Sequence, residues 1–196
     1  MTKKYLMIIC GFIIFLMVIL FYQWNIKGSQ QMTSLNQMEA KPSTSYQSYE
    51  GKLYLNPLNG QIKVGESINI AIMLHAPGKS LDGADIILDY DPALFDVLTT
   101  GGKLTTGDAF PSYPKNRVDS TKGKIYLTGI TLEPKPEAVT PDRIMAELVL
   151  KAKKEGAGRL SFEWVKGNKS LSTIIENGTS KTLLGDVGDG NYQIVK

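Results

Sequence analysis

Residues 83–97 read GADIILDYDPALFDV. Within them, Ile86, Leu88 and Tyr90 fall on one side of an extended chain, and Asp85, Ile87 and Asp89 fall on the other. A period of two predicts a strand with one buried face. Asp91-Pro92 ends it, because proline has no N–H to give to a ladder and restricts the residue before it. Leu94, Phe95 and Val97 then return apolar groups to the interior. The stretch reads as one corner of an all-β sandwich.

The same reading extends in both directions. Leu53-Tyr54-Leu55 opens the domain and Asn56-Pro57 ends its first strand. Residues 61–64 form a short strand before a turn at Gly65-Glu66. From Ser67 to His75 the alternation is regular, with Ile68, Ile70, Ile72 and Leu74 inward and Asn69, Ala71, Met73 and His75 outward. A Gly/Thr-rich loop covers 99–107, and residues 124–131 form a strand after the turn at Lys122-Gly123. Pro134, Pro136 and Pro141 make 133–141 a loop. Residues 143–153 place Ile144, Ala146, Leu148, Leu150 and Ala152 together. A short helix there is the competing reading, since Arg, Met, Ala, Glu and Leu are helix formers. The two-residue period over five inward positions, with glycine following, favours a strand. Gly156-Ala157-Gly158 turns the chain into 159–165, where Leu160, Phe162 and Trp164 share a face, and 191–195 closes the domain. Eight or nine short strands separated by Gly/Pro turns predict a β-sandwich or jelly roll.

Upstream, residues 5–26 carry no charged side chain, and 6–22 read LMIICGFIIFLMVILFY. As a helix the uncharged run would span roughly 33 Å, matching a bilayer's hydrocarbon core. Lys3 and Lys4 precede it, which predicts a cytoplasmic N-terminus (1–4), a single-pass signal anchor (5–26) and an extracytoplasmic C-terminal domain. A cleaved signal peptide is the alternative, but NIKGSQQ offers no small-residue cleavage site. A lipoprotein signal does not fit, because Ile8 and Ile9 precede Cys10. A prepilin signal does not fit either, because Leu16 stands where a glutamate belongs. Residues 27–50 are rich in Ser, Gln and Thr and read as a flexible tether. The domain is expected over 51–196.

The chain has 22 Lys+Arg against 19 Asp+Glu. Two of those bases are Lys3 and Lys4, so the remainder is close to neutral and offers no electrostatic footprint for nucleic acid. Cys10 is the only cysteine and His75 the only histidine. The domain therefore has no disulfide, no cysteine metal site and little means for histidine chemistry.

The order of these pieces resembles the cohesin domain family. GADIILDYDPALFDVL is similar to the cohesin signature, in which a strand ending in Tyr-Asp-Pro precedes an apolar strand. GQIKVGESINIAIML, MAELVLKAK running through a glycine-containing turn into LSFEWV, and a closing GDGNYQIV follow in the family's order. The resemblance implies a nine-stranded jelly-roll sandwich, related to some carbohydrate-binding modules, that binds rather than catalyses. It implies a protein partner of the dockerin type, a small helical module with two calcium loops, held on one sheet face. In the family that face includes an Asn and an Asp two residues apart on the strand before Tyr-Asp-Pro. The Asp matches Asp85; the Asn position is Gly83, which has no side chain to donate. The expected partner-binding residues are Gly83, Asp85, Ile87 and Asp89, in a membrane-anchored module for cell-surface adhesion or scaffolding.

Other constellations weigh less. Asp85 and Asp89 would lie about 13 Å apart along one strand, too far to act together on one bond. No catalytic residues, cofactor or metal site are expected. Residues 185–191, GDVGDGN, resemble a calcium loop, but counted from Asp186 the third position is Gly188 and the twelfth lies beyond Lys196, so a tight turn is expected. His75 reads as solvated and alone. Trp164, Tyr90, Tyr113 and Tyr126 could form a sugar-stacking strip, with Trp164 and Tyr90 inward and the other two exposed. That leaves polysaccharide binding as the alternative function. Asn168-Lys169-Ser170 and Asn177-Gly178-Thr179 match glycosylation sequons.

Overall fold

The computed structural model describes residues 49–196 and, upstream, Met17. The expected cytoplasmic segment, anchor and tether fall outside the described residues, apart from Met17, Tyr49 and Glu50. The rest is an all-β sandwich of thirteen strands in two sheets.

One sheet, here sheet A, runs in the order β12 (Leu184–Gly188), β1 (Gly51–Asn56), β3 (Ser67–His75), β9 (Arg143–Ala152), β5 (Phe95–Leu98), with β6 (Thr105–Thr106) also on β9. Sheet B runs β2 (Asn59–Lys63), β13 (Gly190–Val195), β10 (Gly156–Phe162), β4 (Leu81–Tyr90), β8 (Lys124–Ile130), β7 (Ser112–Asp119), with β11 (Thr173–Glu176) also on β4. Pairing is antiparallel except at two places, β1 with β12 and β2 with β13. At these, two chain segments leave sheet A and enter sheet B side by side. The crossing is tied by Asn191 N–H donating to the Leu58 carbonyl and Tyr192 O–H to that of Pro57, both at 2.8 Å.

The inward sets from the two sheets meet as one core. Leu53, Leu55, Ile72, Leu74 and Leu150 come from sheet A, and Ile86, Leu88, Ile125, Leu160 and Ile194 from sheet B; all are at most 1% exposed. A fully buried side chain of this size contributes roughly 1.5–3 kcal/mol. Phe95 and Tyr192 close the centre edge-to-face, with ring centroids 6.4 Å apart. Gly158 makes room for them: a Cβ there would lie 2.0 Å from the Phe95 ring.

β4 is as expected: Ala84, Ile86, Leu88 and Tyr90 are buried and Asp85, Ile87 and Asp89 partly exposed. The expected nine strands are thirteen, because β6, β7, β11 and β12 were not anticipated. β7, SYPKNRVD, is an edge strand holding Pro114 and mostly polar groups. β12 lies in the stretch expected to be a tight turn, and is a strand because β1 pairs with it. β9 breaks its own alternation. The register to β3 shifts between Ile72 and Met73, so that Met145 is fully buried and Ile144 only partly. β10 begins at Gly156, inside the expected turn, and ends at Phe162. Trp164 lies beyond it but still packs on the core.

Candidate functional site

β4 lies in the middle of sheet B, flanked on one edge by β8 and on the other by β10 and β11, which take successive halves of it. Register with β8 and β7 then sets three rows across the outer surface. Asp85 faces Thr128, which faces Lys115; Ile87 faces Tyr126, which faces Arg117; Asp89 faces Lys124, which faces Asp119. Cross-strand neighbours on one face are close enough for their side chains to meet. Apolar Ile87 and amphipathic Tyr126 therefore occupy the centre of a polar surface.

The polar rows satisfy themselves laterally. Thr128 O–H donates to Asp85 at 2.5 Å. Lys124 holds Asp89 at 2.8 Å and also pairs with Glu163. The hydrogen bonds from Lys124 to Asp89 and then to Glu163 raise its pKa well above the usual lysine value. Beside Tyr126, the Lys115 ammonium lies 4.6 Å and the Arg117 guanidinium 4.8 Å from the ring centroid.

Between β10 and β11 the chain makes an excursion at Ile87. Glu163 N–H donates to the Ile87 carbonyl at 2.9 Å, and Ser172 Oγ accepts from the Ile87 N–H at 3.0 Å. Ser172 N–H closes the base by donating to the Glu163 carbonyl. The loop so formed brings Lys169, Ser170 and Leu171 to a recess shared with Asp85, Ile87, Lys115 and Thr128.

Of the four expected partner-binding residues, Asp85, Ile87 and Asp89 share this surface. Gly83 lies at its end and is buried, opposite Ile130 and Ile175. A Cβ at Gly83 would sit 2.7 Å from the Gly129 carbonyl oxygen, so an asparagine would need the neighbouring strand to move.

Sheet A carries a different cluster, and here His75, though its side chain is 42% exposed, is not alone. Its Nδ1 lies 2.6 Å from Asp142 Oδ1, while Tyr54 O–H donates to Oδ2 of the same carboxylate at 2.8 Å. Burial works against the Asp142 charge, but the hydrogen bonds from His75 and Tyr54 outweigh it and hold the pKa below the usual aspartate value. Burial, and then the Asp142 hydrogen bond, raise that of Tyr54. Asp142 ends the proline-rich loop, so the cluster ties that loop to β1 and β3. Sequence reading missed it because His75 and Asp142 are 67 positions apart.

The remaining candidates resolve locally. Asp186 pairs with Lys52 at 2.7 Å, and Asp189 accepts from the Phe162 N–H at 2.9 Å and from Arg159 at 2.5 Å. These carboxylates belong to the crossover between sheets. Among the described residues no three His, Cys, Asp or Glu side chains are placed to hold a metal ion. Tyr113, expected exposed, packs edge-on against Phe110, and burial pushes its phenol up to about 12. Tyr90 is buried, which leaves Tyr126 as the aromatic of the outer face. In the two sequons, Asn168 accepts from the Ser170 N–H and Asn177 donates to Asp82, so both side chains are engaged in local structure.

Known proteins bear on this arrangement. Residues 56–183 match the family described as the cohesin domain. Among curated proteins, nothing matches the chain. Several solved structures share the fold. The cohesin CaCohA2 of Clostridium acetobutylicum, in complex with the dockerin CaDoc0917, superposes with a TM-score of 0.58 at 16% identity, covering 74% of this chain and 99% of that one. The cohesin of OlpA from Clostridium thermocellum, in complex with the dockerin Doc918, gives 0.57 at 20% identity with the same coverages. The third cohesin of ScaC from Acetivibrio cellulolyticus, in complex with the ScaB dockerin, gives 0.59 at 12%, again covering 74% and 99%. At these identities the likeness speaks for the fold, and the match over residues 56–183 speaks for the family: the chain belongs to the cohesin domain family.

Proposed function

We propose that the sandwich is a docking module, not an enzyme, and that it binds a dockerin-like protein through the outer face of β4, β8 and β7. The observation that carries this is the Ile87–Tyr126 pair, an apolar centre ringed by polar rows. Protein interfaces concentrate binding energy in such a centre and exclude water from it with a polar rim. Asp85 and Asp89 support a rim role, since each already holds a neighbour on the same face. The cohesins of like fold that were solved with dockerins favour a partner of that type. Calcium would then belong to the partner. Residues 5–26 would anchor the module in a membrane with the N-terminus inside, and 27–50 would hold it off the surface for adhesion or scaffolding.

The test is titration of the full-length chain with purified dockerins, including CaDoc0917 and Doc918, with calcium and with chelator. Calcium-dependent binding that falls about tenfold or more for Ile87→Ala supports the reading. Binding by no dockerin, or binding indifferent to Ile87, overturns it. Alkaline carbonate extraction of membranes tests the anchor, which requires the chain to stay in the pellet.

A further inference from the structure

The proposed docking face is unevenly charged, and that asymmetry bears on what can dock there. On the β4 side carboxylates outnumber cations: Asp85 takes its hydrogen bond from the neutral Thr128 hydroxyl, and Asp89 and Glu163 share the single Lys124. On the β7 side the excess is positive. Lys115 is exposed and makes no ion pair among the described residues; its contact is the Tyr126 ring. Arg117 is 59% exposed and meets Asp119 at 3.6 Å, while its guanidinium also lies over Tyr126. Two positions apart on one strand face, the two side chains start about 7 Å from each other. Two cations share one aromatic ring, and a single carboxylate at 3.6 Å is a loose partner for one of them. The ring attracts each cation by only about 0.5–1 kcal/mol at an exposed site, so their mutual repulsion is left for a bound anion to relieve.

We infer that the Lys115–Tyr126–Arg117 ridge on β7 and β8 selects a protein partner that presents carboxylate side chains beside an apolar contact to Ile87. This rests on the docking reading above and deepens it. A protein fits better than an anionic polymer for two reasons. Asp85, Asp89, Asp119 and Glu163 lie on the same face and would repel a uniformly charged chain. The central Ile87 calls for an apolar group, which a folded surface can place next to a carboxylate.

The probes are two helical peptides with the same leucine face, one carrying glutamates and the other lysines on its flanks, with heparin as an anionic polymer. Each is titrated into the 15N-labelled full-length chain, and the amide shifts of Lys115, Tyr126 and Arg117 are followed. The glutamate peptide is expected to shift these three, and the lysine peptide to leave them in place. Lys115→Glu with Arg117→Glu should weaken the glutamate peptide by about tenfold or more, whereas the exchange Lys115→Arg with Arg117→Lys, which keeps both charges, should retain it. Equal response to both peptides, no shift at the ridge, or a response to heparin alone overturns the inference. Dockerin titration is read separately. Ridge shifts with no dockerin bound would remove the dockerin reading and leave the acidic-partner surface standing, and the reverse pattern would do the opposite.

Discussion

The outer faces of the two sheets are built from the same alternation and end in opposite states. On sheet A, Tyr54 and His75 stand on neighbouring strands, and Asp142 at the end of the proline-rich loop satisfies both. That polar cluster is spent on contacts within the chain, fastening a loop. On sheet B, Glu163 shares Lys124 with Asp89 and residues 169–171 share a recess with Asp85 and Ile87, yet Ile87 and Tyr126 remain partly exposed and Lys115 and Arg117 exposed. The difference teaches that an outward polar residue on a strand is not in itself a binding residue. What decides is whether another part of the same chain reaches it first.

That comparison breaks hardest under a change that both faces depend on. Phe95 is fully buried against Tyr192 between the sheets, so Phe95→Ala should cost about 3–5 kcal/mol in denaturant unfolding and weaken partner binding through loss of the fold. Next is Gly83→Asn, which restores a side chain that the family resemblance places on the docking strand. Because its Cβ would meet the Gly129 carbonyl oxygen at 2.7 Å, stability should fall by about 1–3 kcal/mol and affinity should not rise. A gain in affinity at unchanged melting temperature would show that the strand gives way at little cost.

Asp142→Asn sharpens the contrast from the other side. The folded pKa of Asp142 is lower than its unfolded value. Its stabilisation is therefore present above an unfolded pKa of about 3.9 and is lost as the pH falls through the lower folded value. The variant should lose about 1 kcal/mol or less at neutral pH, the group being partly solvated, and should flatten the acid limb of the stability curve. Partner binding should be untouched. Smallest is the stability effect of Ile87→Ala, expected below about 1 kcal/mol because the side chain is only partly buried; its consequence should appear in binding instead.

The unequal fate of the two faces also explains what could be read from the sequence. β3 and β4 were legible because one face of each is buried and the period of two is written into Ile70, Ile72, Leu74, Ile86 and Leu88. β7 was not, because at the edge of sheet B its side chains are largely solvated and Pro114 argues against a central strand. With β7 hidden, the Lys115–Tyr126–Arg117 ridge was hidden too, since it exists only through the β7–β8 register. β12 owes its form to parallel pairing with β1, more than a hundred positions away, and its glycines suggested a turn. The nearness of His75 to Asp142 likewise depends on where a loop comes back to the sheet. The outward placement of Asp85, Ile87 and Asp89 was legible because it needed only local alternation.

The most direct measurement is calorimetric titration of a dockerin into the full-length chain as wild type, Ile87→Ala and Asp142→Asn, in calcium at one pH. We expect Ile87→Ala to lose about tenfold or more in affinity and Asp142→Asn to bind as the wild type does. A loss with Asp142→Asn and none with Ile87→Ala would place the docking surface on sheet A and contradict the account.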